Sequence, residues 1–255
     1  MNIENRVFVV TGAGSGLGAA VARMLNSRGA KVALVDIREE PLRTLASELG
    51  KSCFVAVADV TSESEASAAI EAAVRELGGL DGLINCAGIA PGEKIVGRAA
   101  PHSLESFSRA VNVNLVGTFN MMRLVAARLV TREPGGDGER GVIINTASIA
   151  AFDGQVGQAA YAASKAGVVG LTLPAARELA RYGVRVVAIA PGIFETPMMA
   201  GMPPEVQDSL GKSVPFPSRL GRPSEFAELV ASIMENVMLN GEVIRLDGAL
   251  RMGPR

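Results

Sequence analysis

The sequence contains few of the residues on which metal and disulfide chemistry depend. Its 255 residues include no tryptophan, one histidine and two cysteines. Cys53 and Cys86 lack metal-binding or redox spacing, and His102 has no partner motif. We therefore predict no metal site, and we expect both thiols to be small buried side chains in a reducing compartment.

Strongly basic and long apolar stretches are also missing. The net charge is -1 and the pI is about 6.0, and no basic stretch is interleaved with aromatic residues, so nucleic-acid binding has no support. No apolar run reaches the roughly 18 residues of a membrane-spanning helix, so we expect no membrane partner. Because the first predicted strand begins by residue 6, we expect no cleaved leader and a cytoplasmic location, with the mitochondrial matrix as the open alternative.

What the sequence does have is a regular alternation of apolar runs and amphipathic stretches. A hydrophobic content of 48% and a mean hydropathy of +0.28 suit a parallel sheet covered on both faces. The alternation predicts one doubly wound, Rossmann-type α/β domain over residues 1–255, with about seven strands. Strands are predicted at 6–10, 31–36, 52–57, 82–85, 141–146, 184–189 and 242–246, and the longest helical stretches at about 103–131 and 158–181.

A glycine-rich loop, Thr11–Gly18, joins the first predicted strand to the first helix. Gly12, Gly16 and Gly18 have the spacing that permits a tight turn and lets amides at the helix start approach a pyrophosphate. A flexible strand-to-helix turn is the alternative interpretation. Since the required strand and helix both flank the loop, the pattern favours nucleotide binding.

The second predicted strand ends with a carboxylate, Asp36, eighteen positions after Gly18. A carboxylate at this place accepts hydrogen bonds from ribose hydroxyls and repels a 2′-phosphate, so Asp36 favours NAD over NADP. The loop residues Ala13 and Ser15 add no positive charge. Only Arg38 favours NADP, because a cation there can bind a 2′-phosphate. The other interpretation is an exposed arginine at a helix start.

Tyr161 and Lys165 lie four positions apart in the helical stretch 158–181, so they share one helix face. An ammonium beside a phenol favours phenolate, and we expect the Tyr161 pKa to fall from its usual value of about 10. Ser148, after the strand at 141–146, is placed to hold a substrate oxygen. With Asn114 further back, this set predicts proton transfer beside a nicotinamide that moves a hydride; a surface helix pair is the alternative.

Together these segments resemble the short-chain dehydrogenase/reductase family over essentially the whole chain. The resemblance is carried by Thr11–Gly18, Asn85–Gly88, Asn114, Ser148, Tyr161, Lys165 and Pro191–Gly192. Within the family, the chain is similar to 3-hydroxyacyl-CoA dehydrogenases at residues 112–120, 141–148, 154–161, 214–221 and 240–248. The resemblance implies NAD-dependent, reversible oxidation of a 3-hydroxyacyl-CoA to the 3-oxoacyl-CoA.

Two other functions stay open. One is a hydroxysteroid or broad secondary-alcohol dehydrogenase with the same chemistry. The more distant one is a non-catalytic NAD-binding scaffold, which would have no need for Ser148, Tyr161, Lys165 and Asn114 together.

The resemblance also implies residue roles. Tyr161 would be the general acid and base, Lys165 would bind the nicotinamide ribose, Ser148 would hold the substrate oxygen, and Asn114 would anchor a water that links Lys165 to solvent. The implied cofactor contacts, besides Tyr161 and Lys165, are Gly12, Ser15, Gly16, Leu17, Gly18, Asp36, Asp59, Val60, Asn85, Ala87, Gly88, Pro191, Gly192 and Thr196. Asp59 has an alternative role in a strand-to-helix turn, and Asn85 in satisfying buried backbone groups.

Three segments after strand ends are expected to decide the substrate: 91–101, 150–158 and 194–220. Gln155 and Gln158 are candidates to line the cleft. The segment 194–220 resembles a lid, with Met198, Met199 and Met202 either as a flexible lining or as ordinary core.

Two further sets of residues are candidates to contact coenzyme A and other copies of the chain. Lys94, Arg98 and His102 either meet coenzyme A phosphates or are solvated loop charges. By family resemblance, the helical stretches 103–131 and 158–181 would pair across a two-fold axis and build a homotetramer; ordinary core-facing helices are the alternative.

Overall fold

A single twisted sheet organises the computed structural model of the chain, which describes residues 1–201 and 203–254, without the side chains of Met198 and Ala200. Within that part, seven strands pair in the order β3-β2-β1-β4-β5-β6-β7, and every pairing is parallel. The strands are β1 Val7–Thr11, β2 Lys31–Asp36, β3 Cys53–Val57, β4 Gly82–Asn85, β5 Gly141–Thr146, β6 Val184–Pro191 and β7 Val243–Leu246. The order reverses between β1 and β4, where ligands bind in such sheets.

Helices connect the strands and cover both faces of the sheet, so the predicted doubly wound α/β fold is confirmed. They are α1 Gly16–Ser27, α2 Glu39–Leu49, α3 Glu63–Leu77, α4 Leu104–Val111, α5 Gly117–Leu129, α6 Ala159–Ala180, α7 Pro197–Ala200, α8 Pro204–Lys212 and α9 Pro223–Glu235. In the described residues, no helix has the length and apolar character needed to cross a membrane.

The two faces of the sheet bury alternate residues of the same strand. Phe8 and Val10 of β1 pack in the cluster that includes α1 and α9 side chains such as Leu25 and Phe226. Val9 points the other way, into the cluster formed with α3 and α5. Burial of both faces explains why the strands are continuous apolar runs and do not alternate with polar residues.

The predicted helical stretch 103–131 is interrupted. Between α4 and α5 the residues Asn112–Val116 form a π-helical turn, although the flanking residues Val111 and Gly117 keep right-handed helical dihedral angles. A π turn inserts one extra residue and rotates the side chains that follow it, and such turns occur often at functional sites. Here it places Asn114 fully buried beneath the loop that follows β4.

Candidate active site

The loop after β1 has positions that only glycine can occupy without a steric clash. Gly12 has a φ of +63°, and a Cβ on it would lie 2.8 Å from the Ala87 amide nitrogen. A Cβ on Gly18 would lie 2.3 Å from the Gly12 carbonyl oxygen. The first turn of α1 carries no acidic side chain that would compete for its free amides. The loop therefore fits the pyrophosphate of a dinucleotide.

The hydroxyl of Thr11, whose role could not be predicted from the sequence, joins this loop to the end of β4. Its Oγ1 accepts hydrogen bonds from the amides of Cys86 and Ala87, at 3.1 and 3.2 Å, and donates to Oδ1 of Asn85 at 3.3 Å. The Asn85 amide donates in turn to Oδ1 of Asn145 at 2.9 Å. Asn85 thus satisfies buried groups of the sheet, and its contact with a cofactor stays a prediction.

Asp36, at the end of β2, is buried and already holds two neighbours. Its carboxylate accepts from the Gly14 amide at 3.1 Å and from the Arg38 amide at 3.0 Å, and Arg38 Nε approaches it to 3.4 Å. The Arg38 guanidinium also donates to the hydroxyl of Ser15 at 3.0 Å. Arg38 is therefore exposed but paired, and it joins the glycine loop to the predicted ribose carboxylate.

Ser148, Tyr161 and Lys165 come together at the carboxyl end of β5. The hydroxyls of Ser148 and Tyr161 share a hydrogen bond, and Ser148 Oγ also accepts from the Ala150 amide at 3.1 Å. Lys165 is 4% exposed; its Nζ donates to the Thr146 carbonyl at 2.7 Å and lies 5.9 Å from the centroid of the Tyr161 ring. A surface helix pair is thus excluded for Tyr161 and Lys165.

Burial, more than the neighbouring charge, sets the pKa values of this pair. Desolvation raises the pKa of Tyr161 above 10, and the hydrogen bond to Ser148 offsets only part of that rise. Desolvation also lowers the pKa of Lys165 to about 8. The prediction that the Tyr161 pKa falls beside Lys165 is therefore wrong for this arrangement, because desolvation dominates and the Lys165 ammonium donates to the Thr146 carbonyl.

Asn114 clamps the π turn to two other elements. Its Oδ1 accepts from the Ile89 amide and its Nδ2 donates to the Ile89 carbonyl, both at 2.8 Å, and Nδ2 donates also to Ser164 Oγ at 2.9 Å. A Cβ on Gly88 would lie 3.1 Å from Asn114 Oδ1 and 3.5 Å from Lys165 Nζ. The side chain therefore fixes the approach of the β4 loop to α6, and the water-anchoring role stays a prediction.

The remaining cofactor candidates lie on loops around the same end of the sheet. Asp59 Oδ1 accepts from the amide and hydroxyl of Thr61, both at 2.8 Å, so the strand-to-helix turn is present, and contact of Asp59 and Val60 with an adenine stays a prediction. The Thr196 methyl lies 3.5 Å from the place of a Cβ on Gly16, which brings the start of the predicted lid to the glycine loop.

The Pro191–Gly192 turn is held by the strand beside it. The Gly192 amide donates to the Leu246 carbonyl at 2.9 Å, and a Cβ on Gly192 would lie 2.9 Å from the Asp247 Cβ. Glycine here lets the two loops touch.

The predicted substrate residues are engaged in local hydrogen bonds. Gln155 Nε2 donates to the Gly253 carbonyl at 3.1 Å, and Gln158 Oε1 accepts from the Gln155 amide at 3.0 Å. His102 Nδ1 lies 3.1 Å from the Glu93 carbonyl oxygen, so His102 is bound to its own loop. Their contact with substrate stays a prediction.

The segment 194–220 is closed at its base by two backbone hydrogen bonds. The Glu195 amide donates to the Gly221 carbonyl, and the Gly221 amide to the Ile193 carbonyl, both at 2.8 Å. Met199 is half-buried, while Met202 and the Met198 side chain lie outside the described residues. The segment carries α7 and α8, with Val214 packed against the residue after Ser148, Ile149.

Neither cysteine lies in a metal cluster, and within residues 1–201 and 203–254 no three His, Cys, Asp or Glu side chains are placed to hold a metal ion. Burial raises the pKa of the Cys86 thiol to about 11, and the Thr146 hydroxyl donates to its sulfur at 3.7 Å. Cys53 is half-buried, with its pKa raised by desolvation.

Comparison with known proteins agrees with this geometry. The sequence pattern described as short chain dehydrogenase matches residues 6–207. The chain belongs to the short-chain dehydrogenase family. Two relatives named 3-hydroxyacyl-CoA dehydrogenase type-2 are similar to it over nearly their full length: that of Bos taurus is 53% identical, covering 99% of this chain and 98% of the relative, and that of Drosophila melanogaster is 54% identical, covering 99% and 100%.

Solved short-chain dehydrogenase structures superpose on the whole sheet. A 3-hydroxyacyl-CoA dehydrogenase type-2 from Mycobacterium avium matches with a TM-score of 0.94 at 42% identity, covering 100% of both chains. A 3-ketoacyl-(acyl-carrier-protein) reductase from Brucella melitensis, solved with NADH, matches with a TM-score of 0.88 at 32% identity, covering 98% of this chain and 100% of that one.

Proposed function

We propose that the chain oxidises the hydroxyl of a 3-hydroxyacyl-CoA to the 3-oxoacyl-CoA, reversibly and with NAD. The observation that carries the chemistry is the hydrogen bond of the buried Ser148 hydroxyl with Tyr161, beside the buried Lys165, whose Nζ lies 5.9 Å from the centroid of the Tyr161 ring. The acyl-CoA substrate is supported by the relatives of that name, which are 53% and 54% identical over almost the whole chain.

In the proposed oxidation, the chain's own residues handle the proton. Tyr161, as phenolate, takes the hydroxyl proton of the alcohol, while Ser148 donates a hydrogen bond to the same oxygen. The chemistry that bound NAD⁺ supplies is acceptance of the hydride from the carbinol carbon, so the C–H and O–H bonds break as the C=O bond forms. Lys165, protonated below a pH of about 8, places a positive charge beneath the Tyr161 ring.

The preference for NAD rests on Asp36. Its buried carboxylate sits at the end of β2 with one face on the Gly14 amide, where it would accept from ribose hydroxyls and repel a 2′-phosphate. Arg38 shares that carboxylate, so the repulsion is reduced but not removed.

We also propose that the segment 194–220 is a substrate lid and that the protein is a homotetramer. The lid proposal is supported by the closed base at Phe194 and Gly221 and by the approach of Thr196 to Gly16 in the glycine loop. The tetramer is supported by apolar side chains left on the π turn, α5 and α6, where Val116, Phe119 and Leu173 are 45%, 46% and 44% exposed. Sedimentation should give the mass of four chains, and a monomer would contradict the tetramer.

The function is tested by following NADH absorbance with four substrates. These are 3-hydroxybutyryl-CoA, a longer 3-hydroxyacyl-CoA, a 17β-hydroxysteroid and a simple secondary alcohol. We expect a kcat/KM for the thioesters that exceeds the other two by at least about tenfold, which corresponds to roughly 1.4 kcal/mol of transition-state binding. Activity on the steroid or alcohol alone would overturn the thioester assignment, and no turnover with intact NADH binding would favour the scaffold.

A further inference from the structure

Arg245, at the end of β7, lies between two loops that meet at the active site. Its guanidinium donates to Asp153 at 2.6 Å through Nη2, and to Asp247 at 2.7 Å through Nε. The same Nη2 donates to the Leu250 carbonyl at 2.9 Å. The guanidinium lies over the Phe152 ring, with Cζ 5.3 Å from the ring centroid.

The first loop is the one that carries Ser148. Phe152 and Asp153 follow Ser148 after one short turn, Ile149–Ala151. Ile149 belongs to one apolar cluster with Val214 and Leu250, so this loop is held both by apolar packing and by the Arg245 ion pair. The hydrogen bond to Arg245 keeps the pKa of Asp153 below its ordinary value, which means that the pair stays charged at neutral pH.

The second loop is Pro191–Gly192, a predicted cofactor contact. The backbone of Asp247 approaches Gly192 so closely that a Cβ there would lie 2.9 Å from the Asp247 Cβ. Gly192 also donates its amide to the Leu246 carbonyl at 2.9 Å. A shift of Asp247 would therefore disturb this turn.

We propose that Arg245 is a positioning residue, which sets the distance between the Ser148 loop and the Pro191–Gly192 turn by holding Asp153 and Asp247 with one guanidinium. Arginine suits the task because its planar fork reaches two carboxylates in fixed directions and stacks on an aromatic ring, which lysine does not do. The inference rests on the proposed dehydrogenase function but not on the thioester substrate. Hydride transfer depends steeply on alignment, so loss of this link should reduce the rate at a site that still binds both ligands.

The variants are Arg245→Gln, Arg245→Lys, Asp153→Asn and the double variant Arg245→Gln/Asp153→Asn. The matched control is Arg23→Gln, which removes a guanidinium that makes two hydrogen bonds to Glu48 between α1 and α2. Active sites are counted by NADH titration, and kcat is expressed per binding site with the secondary alcohol that the wild type oxidises fastest. A structural role would lower the number of sites and the unfolding temperature, whereas a positioning role lowers the rate per site.

We expect Arg245→Gln to lower kcat per site by about 10- to 100-fold, with NADH affinity within about threefold of wild type. Arg245→Lys should have a kcat per site between those of wild type and Arg245→Gln. The double variant should be no slower than Arg245→Gln, since both of its changes break the same Arg245–Asp153 ion pair. Arg23→Gln should match wild type. A rate per site unchanged in Arg245→Gln, or a loss explained by fewer sites, overturns the proposal.

The same experiments separate failure of the thioester assignment from failure of the positioning role of Arg245. A wild type that oxidises the steroid or simple alcohol, with the rate loss in Arg245→Gln, overturns the thioester assignment alone. A wild type that oxidises thioesters, with no rate loss in Arg245→Gln, overturns the positioning role alone. A wild type that oxidises none of the four overturns both.

Discussion

Two opposing effects act on the Tyr161 hydroxyl. Burial disfavours the phenolate and raises the pKa, while the hydrogen bond with Ser148 lowers it by less. Lys165 does not reverse this balance, because the same burial brings its own pKa down to about 8 and its Nζ is bound to the Thr146 carbonyl. As the pH rises, Lys165 therefore loses its proton before Tyr161 does.

This order of titration predicts a pH profile. Oxidation needs the phenolate, whose fraction rises tenfold per pH unit below the Tyr161 pKa, so kcat/KM for oxidation should rise from pH 6 to about 8. Above about pH 8 the loss of the Lys165 charge should flatten that rise. Ketone reduction uses the neutral phenol, which persists up to the raised Tyr161 pKa, so its kcat/KM should be flat up to about pH 8, and the loss of the Lys165 charge should lower it above that pH. Steady-state kinetics in both directions check this, and oxidation that is already flat at pH 6 to 7 would contradict it.

The Asp36 carboxylate is expected to contribute directly to NADH affinity. Asp36→Ala should weaken NADH binding by roughly 1.5–3 kcal/mol, because a charged hydrogen bond to the ribose is lost, and should reduce the preference for NADH over NADPH. Arg38→Gln is the matched control, since it keeps the carboxylate but removes its ion pair. Fluorescence titration measures both dissociation constants. Unchanged NADH affinity in Asp36→Ala would place this carboxylate outside the cofactor site.

Among the elements, the strands could be predicted from the sequence because their cause is local. Each buried strand is an apolar run bounded by turn residues, and β2, β4 and β5 begin and end where the sequence predicted. The glycine loop and the spacing of Tyr161 and Lys165 are local patterns as well. The π turn at Asn112–Val116 was missed, since an extra residue in a helix leaves the helical preference of the segment unchanged.

The side chain of Asn114 joins the π turn to neighbouring segments, and we expect its removal to destabilise the protein. Asn114→Ala should lower the free energy of unfolding by about 2–4 kcal/mol, because three hydrogen bonds that join the π turn to Ile89 and Ser164 are lost in a buried place. Asn112→Ala, in the same turn but exposed, should change it by less than about 0.5 kcal/mol. Thermal and denaturant unfolding compare the two. Equal stability of the two variants would contradict the clamp.

At the scale of the whole molecule, the site depends on contacts between distant parts of the chain. Arg245 meets Asp153 across 92 positions, and Asn114 meets Ser164 across 50. Asn114 and the Thr11–Gly18 loop could be identified from the sequence, but Ser164, Arg245 and the hydrogen bonds of the Thr11 hydroxyl could not, since nothing local marks a residue as the neighbour of a distant loop. The same limit explains the Tyr161 pKa, because desolvation is a property of the assembled fold and not of a spacing.

In this short-chain dehydrogenase fold, we propose that Tyr161 is the proton carrier for oxidation of a secondary alcohol. Tyr161→Phe keeps the ring and its packing and removes only the hydroxyl. The most direct measurement is therefore a single-turnover experiment with Tyr161→Phe and wild type, in which NADH formation from 3-hydroxybutyryl-CoA and NADH binding are followed on the same samples. We predict that NADH formation falls by at least about a hundredfold in the variant while NADH affinity stays nearly unchanged. Turnover close to the wild-type rate, or a loss of NADH affinity as large as the loss of rate, would contradict the account.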